Sequence, residues 1–338
     1  MKAVAPFETS AKESRASGAA GPRPILVEMP DPLPGPGEVG LRVHASALNR
    51  ADLLQLRGWY PPPPGESEIP GLECSGVIER VGPDVEGWSV GDRVMALLAG
   101  GGHAEKVIVP SGQLMPVPPG LSFAEAAALP EAALTSWTNL VVEGGLEPGQ
   151  TVLVVAAASG IGTFACQLAR ALGARVLVAG RCLGRLSRLR PLGAEQSLIL
   201  DETLPARVRE VCGNDGVDLV MDLAGGDAVG ERLTAVRAGG RYVLVGVLAG
   251  AAASIDLGDL LKRRVRLQGS VLRSRSRTEK AALVEAFSTF AADRWQRGEL
   301  RPVVDRVWPL ERVAEAYDTM AGGGLFGKLV LVTDSCPD

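Results

Sequence analysis

One stretch constrains this chain more than any other: Val152-Leu-Val-Val-Ala-Ala-Ala-Ser-Gly-Ile-Gly162. An apolar β-branched run stops at small residues, and a helix-period pattern, Thr163 to Leu172, starts at once. This is the signature of a strand, a tight turn and a helix N-terminus. The exposed N–H groups and positive dipole end of such a helix suit a pyrophosphate. From Thr151 the pattern alternates. Strands are predicted over 152–156, 175–179, 197–200, 217–223, 241–247 and 265–269, with helices over 161–172, 182–190, 203–212 and 227–237. Such alternation predicts an α/β unit with a doubly wound parallel sheet and right-handed crossovers.

The part before it reads differently. Short strands are predicted over 1–4, 25–29, 39–47, 77–81, 93–97 and 104–109, separated by Gly and Pro turns, which describes an irregular β domain. Residues 7–24 are small, polar and Gly/Ala-rich and read as a mobile loop. Ser122, with Glu125 three residues later, forms a capping-box pattern for a helix. A helix over 279–297, a strand over 303–308, a helix over 310–320 and a strand over 328–332 close the chain, and their place is back in the first domain. The expected boundaries are 1–128 with 273–338 for the β domain, and 129–272 for the α/β domain.

Composition excludes several functions. A net charge of −4 offers no basic field to nucleic acid. Residues 148–169 carry no charge, but their Gly, Ser, Thr and Gln content and changing period indicate strand–turn–helix and not a membrane span. The start, Met1-Lys-Ala-Val, lacks the apolar core of a secretory signal. Five cysteines (Cys74, Cys166, Cys182, Cys212 and Cys336) form no CxxC and suit a reduced, cytoplasmic setting. The two histidines, His44 and His103, are isolated and read as structural.

The turn departs from the usual G-x-G-x-x-G. Ala157 and Ser159 take the first two glycine places, and Gly162 keeps the third, where helix and strand pack closest. The second strand ends in Gly180-Arg181. An acid here would accept from a ribose 2′-hydroxyl, but there is none from Arg175 to Ala194; Arg181, Arg185, Arg188 and Arg190 stand there instead. A guanidinium pairs bidentately with a 2′-phosphate, so the expected cofactor is NADPH, held through Arg181 and Arg185. The alternative is a solvated basic helix face. Asp222 and Gly246 fall at carboxyl ends of predicted parallel strands, where open sheets bind ligands, although simple turn formation explains them equally well.

Together these segments resemble one family across nearly the whole chain: Ala47-Leu-Asn-Arg-Ala-Asp-Leu53, Gly58-Trp-Tyr-Pro-Pro-Pro-Pro-Gly65, Gly71-Leu-Glu-Cys-Ser-Gly76, Val90-Gly-Asp-Arg-Val-Met-Ala-Leu-Leu98, Ala128-Leu-Pro-Glu131, Ala158-Ser-Gly-Ile-Gly-Thr163, Leu272-Arg-Ser-Arg275 and Phe326-Gly-Lys-Leu-Val330. The chain resembles the zinc-free, zeta-crystallin-like quinone oxidoreductases of the medium-chain dehydrogenase/reductase superfamily, nearest the branch containing the tumour-suppressor-induced quinone oxidoreductase. The resemblance implies a split GroES-like β catalytic domain plus a Rossmann domain. It implies that Asn49 and Tyr60 face nicotinamide and substrate, and that Thr135 contacts the nicotinamide end. Ser159, Gly160 and Ile161 would hold the pyrophosphate, in the turn that Gly162 closes, and Arg185 falls, if one residue is inserted before it, where this branch often has a lysine for the 2′-phosphate, beside the Gly180-Arg181 already read from the strand end. Gly246, Leu272 and Lys328 would lie along the cofactor cleft. A homodimer paired through the dinucleotide domains is also implied.

There are departures from the family pattern. Val155-Ala156-Ala157 replaces a His-Gly-Gly, Leu200 a tyrosine over the adenosine, and Ala133 a bulky residue of the substrate side. Leu72 stands where zinc-dependent relatives carry a histidine ligand, and leucine cannot bind a metal. Without a Lewis acid the acceptor must already be electrophilic, which implies a quinone or an activated alkene. A 2-alkenal or enoyl reductase, and a cofactor-binding sensor or structural protein without turnover, are the competing readings. A short-chain reductase needs Tyr-x-x-x-Lys; the three tyrosines are followed four residues on by Pro64, Gly246 and Ala321.

Overall fold

The computed structural model describes residues 1–6 and 23–335, so most of the expected 7–24 loop, and Cys336, lie outside the described residues. Two compact units emerge: residues 1–131, 273–297 and 302–338 form the first, and 132–272 with 298–301 the second.

The second unit is built on six parallel strands: β1 (Thr151–Val155), β2 (Arg175–Gly180), β3 (Gln196–Ile199), β4 (Val217–Asp222), β5 (Val236–Leu244) and β6 (Arg266–Gly269). Their order across the sheet is β3-β2-β1-β4-β5-β6, all pairs parallel. This is the doubly wound arrangement the alternating sequence predicts. The strand order reverses between β1 and β4, and ligands of such sheets bind outside the carboxyl ends of the strands at that switch point. The apolar runs that announced β1, β2 and β4 are buried, with Leu153, Val155, Leu177, Ala179 and Val220 in one core, as strands covered on both faces must be. Helix α1 (Gly160–Ala171) follows β1.

Two helices differ from expectation. The helix predicted over 182–190 is one α-turn, Leu183–Leu186, continued as a 3-10 turn to Leu192; Pro191 lacks the donor an α-helix needs, and Gly193 at φ +113° ends it. The helix predicted over 227–237 shrinks to Val229–Leu233, and β5 starts at Val236 rather than near residue 241. Buried Arg232 is drawn inward to a carboxylate in the sheet, so its stretch is not an amphipathic surface helix.

In the first unit a seven-stranded sheet runs, in order, through Val304–Pro309, Lys328–Val332, Glu38–Ala47, Glu73–Val81, Arg93–Leu97 and Leu114–Pro116, with Lys106–Pro110 also paired to Glu38–Ala47. Strand Lys328–Val332 pairs antiparallel with Ala45–Ala47, so the end of the chain does return to this unit. Register aligns Val330 with Ala47 and Cys74 with Ser46. Lys328, Asn49 and Glu73 are thereby gathered at one end of three neighbouring strands. The Ser122–Glu125 capping box forms as expected, Ser122 Oγ accepting from the Glu125 N–H at 3.2 Å and Glu125 Oε2 from that of Ser122 at 2.9 Å.

Candidate functional site

In the second unit the turn after β1 is tight. Ala156 adopts φ +60°, a conformation that costs a non-glycine residue about 1–2 kcal/mol. Ser159 caps α1, its Oγ accepting from the Gly162 N–H at 3.1 Å. First-turn N–H groups have no intrahelical acceptor. Those of Gly160 and Ile161 are therefore left pointing out of the helix N-terminus, the donor set a pyrophosphate takes. A Cβ on Gly162 would lie 2.5 Å from Ala157, so the third glycine is fixed by helix–strand packing.

Gly180 closes β2 in a buried position, and Arg181 follows, exposed, with Arg185 half-buried one turn on. Nearby arginines are paired: Arg175 with Glu195 at 2.9 Å and Arg207 with Asp201 at 3.2 Å. Arg181 and Arg185 make no ion pair among the described residues. The thiol of Cys182 between them is held below its ordinary value, first by the Arg185 backbone N–H and further by the Arg185 side chain. Negative charge is favoured at this spot.

Asp222 requires a correction. It is fully buried, and its carboxylate is saturated. Oδ1 accepts from the N–H groups of Ala224 (2.7 Å) and Gly225 (3.2 Å). Oδ2 accepts from Arg232 Nε (3.0 Å) and Nη2 (2.7 Å), and from the Tyr242 hydroxyl. Asp222 therefore holds the turn after β4 in shape and has no oxygen to offer a cofactor. Gly246 backs onto that turn: a Cβ on Gly225 would meet the Gly246 carbonyl at 2.5 Å. Thr135 is buried on the helix Pro130–Trp137, its carbonyl accepting from Asn139 Nδ2 at 2.7 Å. Leu272 is buried at the last position before the chain leaves the unit.

In the first unit Lys328, Asn49 and Glu73 form one cluster. Lys328 Nζ donates to Asn49 Oδ1 at 2.5 Å and pairs with Glu73 Oε1. Asn49 Nδ2 donates to Glu73 Oε1 at 3.0 Å and to the Ala47 carbonyl at 3.3 Å. Both amide hydrogens of Asn49 are thus engaged inside the unit. Glu73, which sequence reasoning did not single out, is completely buried and also accepts from the Glu131 N–H at 2.9 Å.

Tyr60 is half-buried, and burial pushes its hydroxyl above the ordinary tyrosine value, with the charge of Glu131 adding to the rise. It is a protonated donor at neutral pH. Arg273, also missed, lies beside its ring. The advance signal was its place in the segment Leu272-Arg-Ser-Arg275, one of those that carry the family resemblance. No three His, Cys, Asp or Glu side chains gather as a metal site among the described residues.

The chain matches two family models: "Alcohol dehydrogenase GroES-like domain" over residues 35–119 and "Zinc-binding dehydrogenase" over 160–288. It is 32% identical over 312 residues to the quinone oxidoreductase-like protein 2 of Bos taurus, covering 91% of this chain and 89% of that one. It belongs to the medium-chain dehydrogenase/reductase superfamily. Within this superfamily the human synaptic vesicle membrane protein VAT-1 homolog-like is 31% identical over 326 residues, covering 90% of this chain and 77% of its own. The quinone oxidoreductase of Thermus thermophilus, solved also in complex with NADPH, superposes with a TM-score of 0.80 at 38% identity, covering 98% of this chain and all of that one. The first unit is accordingly the GroES-like domain and the second the Rossmann domain of an oxidoreductase related to quinone oxidoreductases. No helix among the described residues is long and apolar enough to cross a membrane.

Proposed function

We propose that this chain is an NADPH-dependent reductase of quinones, of the zinc-independent, zeta-crystallin-like type and nearest its tumour-suppressor-induced branch. One observation carries the cofactor choice: β2 ends in Arg181, with Arg185 one turn on and no acid between, so the segment suits a phosphate and not a bare ribose diol. The turn fits the dinucleotide through the outward N–H groups of Gly160 and Ile161 and through Ser159, whose Oγ fixes the helix start. Bound NADPH would supply a hydride. The protein's part is to orient it, to keep the acceptor dry and to place donors where negative charge grows. Tyr60 is one such donor.

Leu72 at the histidine position supports a reaction without metal, and hence an acceptor that is already electrophilic. Steady-state oxidation of NADPH against 1,2-quinones, 1,4-quinones and 2-alkenals, with and without a zinc chelator, tests the reading. Quinone turnover insensitive to chelation is the expected result. Turnover confined to alkenals would move the assignment to an alkenal or enoyl reductase. Cofactor binding without consumption on any acceptor would leave a sensor. A homodimer joined through the exposed edge strand β6 and a cytoplasmic location complete the proposal.

A further inference from the structure

The hydrogen-bond inventory of the Lys328 cluster leaves one donor over. A lysine ammonium carries three N–H groups. Among the described residues, one reaches Asn49 Oδ1 and one Glu73 Oε1. Asn49 has engaged both amide hydrogens, on Glu73 and the Ala47 carbonyl. Glu73 accepts on both oxygens, Oε1 from Lys328 and Asn49, and Oε2 from the backbone of Glu131. What the cluster retains is the third N–H of Lys328.

Two anchored bonds restrain the ammonium from rotating, and the side chain is held in the fold at 5% exposure. Lys328 opens its strand, Glu73 opens another, and Asn49 caps the helix Arg50–Leu56 two residues beyond the end of the strand between them, so the anchor is tied to the sheet. A pre-aimed cationic donor in a mostly dry setting stabilises a growing negative oxygen far better than a mobile one in water.

We propose that Lys328 is the fixed donor to the acceptor's oxygen, and that Asn49 and Glu73 are its positioning residues. The ligand class is an acceptor whose carbonyl oxygen becomes phenolate- or enolate-like on reduction. This deepens the reductase reading and rests on it. Hydride delivery leaves the acceptor oxygen anionic, and the lysine serves it as a hydrogen-bond donor.

A phenol that cannot be reduced at the ring reports on such a donor. With NADP⁺ present, 4-nitrophenol is titrated against the enzyme and its phenolate band followed. The expected result is an ionisation midpoint lowered by about one pH unit on binding, a tenfold preference for the phenolate. Lys328→Arg should keep part of the shift. Because Lys328→Met alone strands the Glu73 charge in the interior, the decisive variant is Lys328→Met with Glu73→Gln, and it should abolish the shift. A shift that survives in this double variant and vanishes in Tyr60→Phe overturns the proposal. So does a wild type that consumes NADPH with a quinone yet ignores 4-nitrophenol or takes it as the neutral phenol. NADPH fluorescence is read in parallel. A wild type that does not bind NADPH removes the reductase reading as well, whereas intact binding with an unmoved midpoint removes Lys328 alone.

Discussion

Arg273 holds its guanidinium carbon 5.1 Å from the centre of the Tyr60 ring and donates from Nη1 to the Tyr60 carbonyl at 2.9 Å. The same fork donates from Nε to the Ala99 carbonyl at 2.7 Å and from Nη2 to Gln55 Oε1 at 2.6 Å. Three separate segments are pinned by one planar group that is only 4% exposed. A lysine has the charge without the fork. Arg273→Lys should therefore lower kcat/KM at least about tenfold and lower Tm by several degrees, since each lost charge-assisted bond is worth roughly 1.5–3 kcal/mol. Steady-state kinetics and thermal unfolding of the same preparation check both.

The hydroxyl of Tyr60 is to be separated from its ring. Tyr60→Phe keeps the face that Arg273 covers and removes only the donor. It should lower kcat by about 10- to 100-fold, somewhat less than the loss of a full oxyanion-hole donor, and leave KM for NADPH almost unchanged. Burial raises the folded-state pKa of this hydroxyl. The donor form therefore persists past the ordinary tyrosine value of about 10, and the wild-type rate should show no tyrosine-linked decline below it. A rate profile breaking near neutrality in wild type but not in Tyr60→Phe would contradict the assignment.

The Asp222–Arg232–Tyr242 network makes a stability prediction. Arg232→Met removes the cationic partner of Asp222 in the sheet, at a cost of about 3–5 kcal/mol; Asp222→Asn with Arg232→Met should recover much of it. Burial, and then the charge of Asp222, push the Tyr242 hydroxyl far above its ordinary value. The folded pKa is raised, so this contribution is intact below the unfolded value of about 10 and is lost as pH rises beyond it. The unfolding free energy from urea titrations should fall above about pH 10 by up to roughly 1.4 kcal/mol per pH unit, and less steeply in Tyr242→Phe.

These groups also mark the limit of what the sequence discloses. The Rossmann strands were legible because a parallel sheet buried on both faces demands unbroken apolar runs, and Gly162 because no larger residue tolerates Ala157 so close. Asp222 was misread for a physical reason. A lone acid at the carboxyl end of such a strand looks like a ligand for a cofactor. The arginine that neutralises it sits ten residues on, within the stretch predicted as a helix over 227–237. The pairing of Lys328 with Glu73 spans most of the chain, and strand register creates it. Local periodicity carries no trace of that register.

Among the described residues, edge strand β6 pairs only with β5, and all its residues are exposed. Leu267 on it, with Leu257 and Leu261 on the preceding helix, leaves apolar side chains beside unpaired backbone groups. An edge of this kind invites a second strand. Light scattering after size exclusion should give a dimer, and Leu261→Glu with Leu267→Lys should shift it toward monomer while NADPH binding persists. A monomeric wild type at micromolar concentration would remove the expectation.

Arg181 and Arg185 carry the cofactor assignment, and they can be tested without any knowledge of the acceptor. They flank Cys182, whose thiol is held below its ordinary value first by the Arg185 backbone N–H and further by the Arg185 side chain. A 2′-phosphate bound there gains charge-assisted bonds that NADH cannot make. Arg181→Ala with Arg185→Ala should raise KM for NADPH by about 10- to 100-fold, the loss of one or two such bonds, while KM for NADH changes little. Salt should act in the same direction, since exposed pairs are screened: raising ionic strength should weaken NADPH in wild type and barely affect the double variant. The Ser159 and Gly162 turn is untouched by these substitutions, so kcat at saturating cofactor should hold. An NADPH-to-NADH preference that is equal in wild type and variant would show that the arginines are only a solvated face.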